Sequence, residues 1–392
     1  MRPAISFFCA VLLAACAIHQ PPEDHASLFQ TETDLVQEKF GFPGMTAAYV
    51  MEDGTIGTAS SGLADVEAKV PMSDNTRMLS ASIGKSFVGA LCIALDLEGR
   101  LDLDEPVSRW IGRFDWFQRL PNHESITLRH LLSHSAGIPD HVHMDTFAEA
   151  FATAWQETGN PFPPERLVAF VLDEPALFPA GHGWAYSDTG YILAGLVIEA
   201  VTERLCFDLI QNRFLIPLDL LDTSSADRRD LDRLAPGYMC QDNLFRFPVK
   251  TLDKAGRLHW HPAVEWTGGG LVSTSRDLAR WGAALFTGKA MNGDYLSELF
   301  NAVPVDPNLT DVKYGTGVAF YSSGPFGPVY GHAGWIPGYV SSLRHYPEHG
   351  ITIAFQINTD IGIIDNDDDV LKTIENRLIH VFTGKYESWY FR

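Results

Sequence analysis

The chain has 392 residues, 46% of them apolar and 20% charged, with 33 Gly and 23 Pro. That composition excludes a disordered chain, a collagen-like repeat and a disulfide miniprotein, and leaves room for a core that can hold a buried site. Twenty-nine Lys and Arg against 49 Asp and Glu give a formal charge of −20. With no Lys/Arg cluster to neutralise phosphates, nucleic acid is a poor partner.

The N-terminus stands apart from the rest. Arg2 is followed by a run from Ala4 to Ala15 that is apolar except for Ser6. Such a run is too short to cross a membrane as a helix but suits the apolar region of a signal peptide over residues 1–15. It ends in Leu13-Ala14-Ala15-Cys16, which resembles a bacterial lipobox and implies a lipidated Cys16 as the mature N-terminus, with the membrane as partner. The polar, Pro-containing stretch that follows completes a tether over 16–27. Beyond Cys9 and Cys16 only Cys92, Cys206 and Cys240 remain, an odd number without C-x-x-C spacing, so no essential disulfide and no thiolate metal site is expected.

Residues 28–40 have helix-compatible apolar spacing, stopped by Gly41-Phe42-Pro43-Gly44. The runs 45–51 and up to Gly62 predict a hairpin turning at Asp53-Gly54. Residues 83–97 are apolar nearly all round, which predicts a buried helix. From about 105 to 265, helical segments alternate with Pro- and Gly-rich loops, without internal repeats. The pattern then returns to strands: 339–346 and 351–357 form a hairpin through Pro347–Gly350, the second strand alternating as if half-buried. A last amphipathic helix carries Val370, Ile374, Leu378, Val381 and Phe382. Strands at both ends with helices between predict an α/β domain interrupted by a helical insertion, with the cleft between them.

Ser82-Ile83-Gly84-Lys85 opens the buried helix. Ser and Lys at i and i+3 share a face, and free N–H groups at a helix start favour developing negative charge. A serine hydroxyl becomes a nucleophile only when a base takes its proton, and a neighbouring amine or amine–phenol pair can do so. A capping Ser beside a solvated Lys would also fit, but an unpaired buried Lys is costly. Gly84-Lys85-Ser86 is not a phosphate loop, because Leu79 stands where the first glycine is required. Tyr186-Ser187-Asp188 precedes the helix-like Tyr191–Val201; a phenolate favoured by a nearby Lys would accept and return a proton. The plainer alternative is a cap and a packed aromatic. His332-Ala333-Gly334 offers a titratable ring followed by a glycine that permits close backbone approach, or simply an exposed turn. His130, His134, His141 and His143 resemble a metal cluster but lack a general-base pattern and are assigned to packing, and no G-x-S-x-G elbow occurs.

In order, SIGK, YSD and HAG resemble the three active-site elements of the serine β-lactamase and penicillin-binding-protein superfamily, nearest the class C β-lactamases, DD-carboxypeptidases and related esterases. The segments 126–139, 178–202, 268–281 and 331–347 also resemble the family, so the likeness spans nearly the whole mature chain. It implies an α/β (α+β) fold of β-lactamase/transpeptidase type. An antiparallel sheet flanked by helices would form from residues 28–104 plus 268–385, with a mainly helical domain over 105–267.

The resemblance further implies Ser82 as the acylated nucleophile, Lys85 and Tyr186 as the proton-transfer pair, and His332 as the third-element cation or proton partner. The backbone N–H groups of Ser82 and of Trp335, which follows Gly334, would form the oxyanion hole. No cofactor and no metal is implied. Two departures bear on the substrate. Asp188 replaces the usual Asn and should hold Lys85 protonated, moving the base role toward Tyr186. Ala333 replaces a hydroxyl residue and removes a charge-assisted hydrogen bond to a substrate carboxylate, about 1.5–3 kcal/mol. The expected activity is that of an exported serine hydrolase acting on D-amino-acid peptides or small esters and amides. A true β-lactamase is the second enzyme reading, and a non-catalytic penicillin- or peptidoglycan-binding module is the alternative of another class.

Overall fold

The computed structural model describes residues 24–154, 159–243, 245–364 and 369–384. The leader at 1–15 and the lipidation candidate Cys16 lie outside these residues. Helix α1 (His25–Phe40) starts where Asp24 accepts the Ala26 N–H at 3.1 Å and ends at Gly41, whose φ of 68° suits glycine. His25 to Ser27, read as tether in the sequence, therefore belong to this helix: the Asp24 cap sets its start ahead of the apolar spacing. The face carrying Phe29 and Val36 is buried.

The main sheet is antiparallel throughout. It is built from β1 (Gly44–Met51), β2 (Ile56–Asp65) and β3 (Val70–Pro71), then, after the helical middle of the chain, from β7 (Val303–Asp306), β8 (Leu309–Tyr314), β9 (Ala319–Tyr321), β10 (Val329–Ile336), β11 (Tyr339–Tyr346) and β12 (Ile351–Ile357). A second, small sheet has the short strands β4 (Met78–Leu79), β5 (Ser224–Ser225) and β6 (Leu271–Ser273). Strand order in the main sheet is β3-β2-β1-β12-β11-β10-β9-β8-β7. Both hairpins read from the sequence form, β1–β2 and β11–β12, with Met45 opposite Ser61 and Val340 opposite Ile357.

The central strand β12 differs from its reading. All seven of its residues are buried, not one face of them. Ile351, Ile353, Phe355 and Ile357 pack with Phe29 of α1 and with Ile374 and Leu378 of the C-terminal helix Val370–Thr383. The opposite face lies under the helix Ser275–Phe286, whose Gly282 sits against Leu343 and Thr352. Short polar side chains tolerate that second face because they are bonded: Thr352 to His345 Nδ1 at 2.8 Å, and Gln356 to the Met78 carbonyl at 3.2 Å. Alternation reports two environments, and here both are covered.

Two buried helices carry the site. Helix α2 (Gly84–Leu97) is buried from Gly84 through Leu95, and α3 (Asp188–Thr202) is buried from Thr189 through Ile198. They pack together in one apolar cluster that includes Phe87, Leu91, Ile192 and Leu196. Each fully buried Leu, Ile or Phe contributes about 1.5–3 kcal/mol, so these helices form the rigid floor of the cleft. Cys92 and Cys206 are buried free thiols in that floor, and Cys240 is exposed.

Candidate active site

Ser82 sits on a tight turn, Ala81–Ile83, that leads into α2. Ala81 has φ of 47°, a left-handed conformation that costs a non-glycine residue energy and is held by its surroundings. Those surroundings are specific. Ser80 donates its N–H and its hydroxyl to the Leu271 carbonyl at 2.9 and 3.0 Å, and Ser341 donates to the Ser80 carbonyl at 2.9 Å. Gly269 lies so close that a Cβ there would meet the Ala81 carbonyl carbon at 2.6 Å. The glycine run 268–270 is therefore a backbone-to-backbone contact that fixes the serine's turn.

One turn along α2, Lys85 is fully buried. Its ammonium donates to Ser82 Oγ at 3.0 Å, to the Asp188 carboxylate and to the Gly268 carbonyl, which accounts for all three of its donors. Tyr186 donates its hydroxyl to the same Ser82 Oγ at 2.8 Å, and its ring lies 4.9 Å from Lys85 Nζ. The three residues read from SIGK and YSD thus converge on one oxygen. The phenolate expectation does not hold in the resting site. Burial, reinforced by the negative charge of Asp188, pushes the Tyr186 hydroxyl well above its ordinary value, outweighing the hydrogen bond to Ser82. Asp188, the first residue of α3, is also pushed up, because burial outweighs the pull of Lys85.

His332 and its neighbours lie on β10, a strand and not an exposed turn. Its Nδ1 faces the Ala333 carbonyl and its Nε2 lies 2.7 Å from the Tyr314 hydroxyl, so the ring carries its proton on Nδ1 and accepts from Tyr314. Burial, with the Lys85 charge adding to it, lowers His332 to about 3. At neutral pH it is an uncharged hydrogen-bonding partner, which corrects the cation half of its expected role. Gly334 packs against the serine's turn: a Cβ there would meet the Ser80 carbonyl oxygen at 2.3 Å. The two-residue turn Pro337–Gly338 pairs Ile336 with Tyr339. Counting back along alternating antiparallel pairs turns the Trp335 N–H away from β11, on the same edge as the start of α2. That is the placement an oxyanion donor needs. The Trp335 indole is partly exposed and donates to Asp360 at 3.1 Å.

His130, His134, His141 and His143, assigned to packing, each have their own role. His130 Nδ1 accepts the Thr127 N–H in a helix cap, and His141 Nδ1 meets Thr189 Oγ1 at 3.0 Å. His143 is exposed and faces Asp140. His134 is the one the sequence reading underrated. It accepts the Ser187 N–H at 3.1 Å, packs tilted against the Tyr186 ring at 4.2 Å, and is held uncharged by burial, so it positions Tyr186. Among the described residues no group of three or more His, Cys, Asp and Glu converges as a metal site.

A cavity of about 340 Å³ opens over Ser82. Phe147, Phe151 and Phe245 line one side, and Tyr186, Asp188 and Glu265 another. Tyr314 and Glu265 carried no sequence signal, since each is a lone residue of common type. His134 and Gly268 lay inside segments that had already drawn attention.

Residues 30–372 match the family model described as Beta-lactamase. The chain belongs to that family. Penicillin-binding protein 4* of Bacillus subtilis (strain 168) is 26% identical over 341 residues, covering 84% of this chain and 71% of that protein. A D-stereospecific amidohydrolase from Streptomyces sp. shares the fold with a TM-score of 0.75 at 26% identity, over 91% of this chain and 98% of its own. The D-amino acid amidase of Ochrobactrum anthropi SV3, complexed with L-phenylalanine amide, gives the same TM-score and identity over 93% and 100%. This chain is a serine hydrolase of the β-lactamase family, with the mixed α/β, antiparallel-sheet architecture of these neighbours.

Proposed function

We propose that the chain hydrolyses amide, peptide or ester bonds whose acyl part is a D-amino-acid residue, through an acyl-enzyme on Ser82. One observation carries the reading: Ser82 Oγ is held at once by the Tyr186 hydroxyl at 2.8 Å and by Lys85 Nζ at 3.0 Å, beneath an open cavity. The D-stereospecific amidohydrolase and D-amino acid amidase among its structural neighbours support the substrate class. The penicillin-binding relative and the leader ending at Cys16 support an envelope enzyme tethered through a lipid.

The proton path follows from the resting geometry. As Oγ attacks the carbonyl carbon, the Ser82 proton passes to Lys85 Nζ while Lys85 passes one of its own to Asp188, so that the pair takes up one proton. The Ser82 and Trp335 N–H groups stabilise the oxyanion. As the C–N or C–O bond breaks, the leaving group takes the Tyr186 proton, and the proton on the Lys85–Asp188 pair returns to Tyr186. Water reverses the sequence to release the acid. A β-lactamase is the weaker reading, because neutral His332 and Ala333 give a substrate carboxylate little to bind. A binding-only module has no need of an amine and a phenol converging on one serine hydroxyl.

The test is a panel of purified substrates: D- and L-phenylalaninamide, D-alanine p-nitroanilide, p-nitrophenyl acetate and a chromogenic cephalosporin. D-amides and the ester should turn over, with the L-amide and the cephalosporin far slower. Efficient cephalosporin hydrolysis, or a preference for the L-amide, would overturn the proposal.

A further inference from the structure

We infer that the Glu265 carboxylate selects substrates by a free ammonium group on the acyl side of the bond that Ser82 attacks. The inference rests on the D-amino-acid reading above and narrows it to amides, esters and peptides cut after an unblocked N-terminal residue.

Three carboxylates face the cavity: Asp140, Asp188 and Glu265. Two are engaged. Asp188 pairs with Lys85, and Asp140 accepts the Val142 N–H at 3.2 Å and faces His143 at 3.4 Å. Glu265 has no side-chain hydrogen bond or ion pair among the described residues, although it is half-buried on the cavity wall. Its position is tied to the nucleophile. A methyl group on Gly269 would lie 2.6 Å from both Glu265 Oε2 and the Ala81 carbonyl carbon, the atom bonded to the Ser82 nitrogen. The α-nitrogen of an amino-acyl group is two bonds from the carbon that Ser82 attacks. Any substrate of that class must place its ammonium in this same cavity.

The rest of the cavity points the same way. Lys85 has no donor left for a substrate anion, His332 is uncharged, and Ala333 offers no hydroxyl. Among the described residues a terminal carboxylate meets only His143, already turned to Asp140, as a cation, whereas an ammonium meets the unpaired Glu265. Burial and the neighbouring charges of Asp188 and Asp140 push Glu265 up to about 8, against the pull of Lys85. The empty site therefore holds mainly the carboxylic acid at neutral pH, and an arriving ammonium draws the proton off to form the ion pair. The phenylalanine rings of Phe147, Phe151 and Phe245 leave the substrate's side chain an apolar surface.

The experiment compares D-phenylalanine p-nitroanilide with its N-acetyl derivative on the wild-type chain and on Glu265→Gln, which keeps the side-chain volume. The free amine should be preferred on the order of 100-fold in kcat/KM by the wild type, and Glu265→Gln should remove most of that preference, as expected for one charge-assisted contact. The N-acetyl substrate should change less than about threefold, which also reports an intact fold. Equal use of both substrates by the wild type, or an equal loss on both in Glu265→Gln, overturns the inference. Protection of Ser82 from a fluorophosphonate probe by D-phenylalaninamide, but not by its N-acetyl form, provides a readout without turnover. If neither anilide is hydrolysed but protection by the free amine persists and is lost in Glu265→Gln, the hydrolase substrate reading fails and the ammonium site stands.

Discussion

All three N–H donors of Lys85 are taken within the protein, by Ser82, Asp188 and the Gly268 carbonyl. Lys85 can therefore take the Ser82 proton only by passing one of its own on, and Asp188 is the carboxylate placed to receive it. Asp188→Asn keeps an acceptor oxygen but removes the proton acceptor. Its kcat at neutral pH should fall about 100-fold, the scale of one lost general-base step. A neutral-pH rate like the wild type's would show that Asp188 is only structural. His332 bears on the pH profile. A ring lowered to about 3 is already uncharged across the physiological range, so it contributes no limb near its ordinary value.

At the scale of elements, the site is an edge-to-turn contact between β10 and the start of α2, clamped by β6. Gly334 is the point of closest approach, with Ser80 O, Ser341 Oγ and Ala81 Cβ at 2.3, 2.5 and 3.2 Å from a would-be Cβ. Two of the three are held by the Ser341-to-Ser80 bond and cannot swing away. Gly334→Ala should push β10 back and cost about 1–3 kcal/mol in thermal or denaturant unfolding. The Trp335 N–H moves with the strand, so kcat should fall by about 100-fold or more, the scale of one lost oxyanion donor. A stable variant with wild-type kcat would place the oxyanion donor elsewhere. Much of this level was legible in the sequence. The hairpins, the all-apolar α2 and the C-terminal helix follow from local periodicity. The double-sided burial of β12 did not follow, because it depends on the helix Ser275–Phe286, distant in the chain; the strand character of His332–Trp335 was masked by Gly331 and Gly334, although its partner β11 is the next strand. His134 is packed, as read, but its bond to the Ser187 N–H, far along the chain, could not be read from its own segment.

At the scale of the whole molecule, the −20 charge that excludes nucleic acid says nothing of the reaction. The chemistry is set locally, where two buried helices and one sheet edge bring Ser82, Lys85, Tyr186 and Asp188 together from positions about a hundred residues apart. The family motifs made that convergence legible, whereas the wall that chooses the substrate, with Glu265 and the phenylalanines, required the fold. The central claim is a covalent intermediate on Ser82. Acid-quenching the enzyme during turnover of a D-phenylalanine ester, followed by intact-mass and peptide-mapping mass spectrometry, tests it most directly. The account expects a D-phenylalanyl adduct on Ser82 that is absent, together with activity, in Ser82→Ala. An adduct on another residue, or full activity in Ser82→Ala, would contradict it.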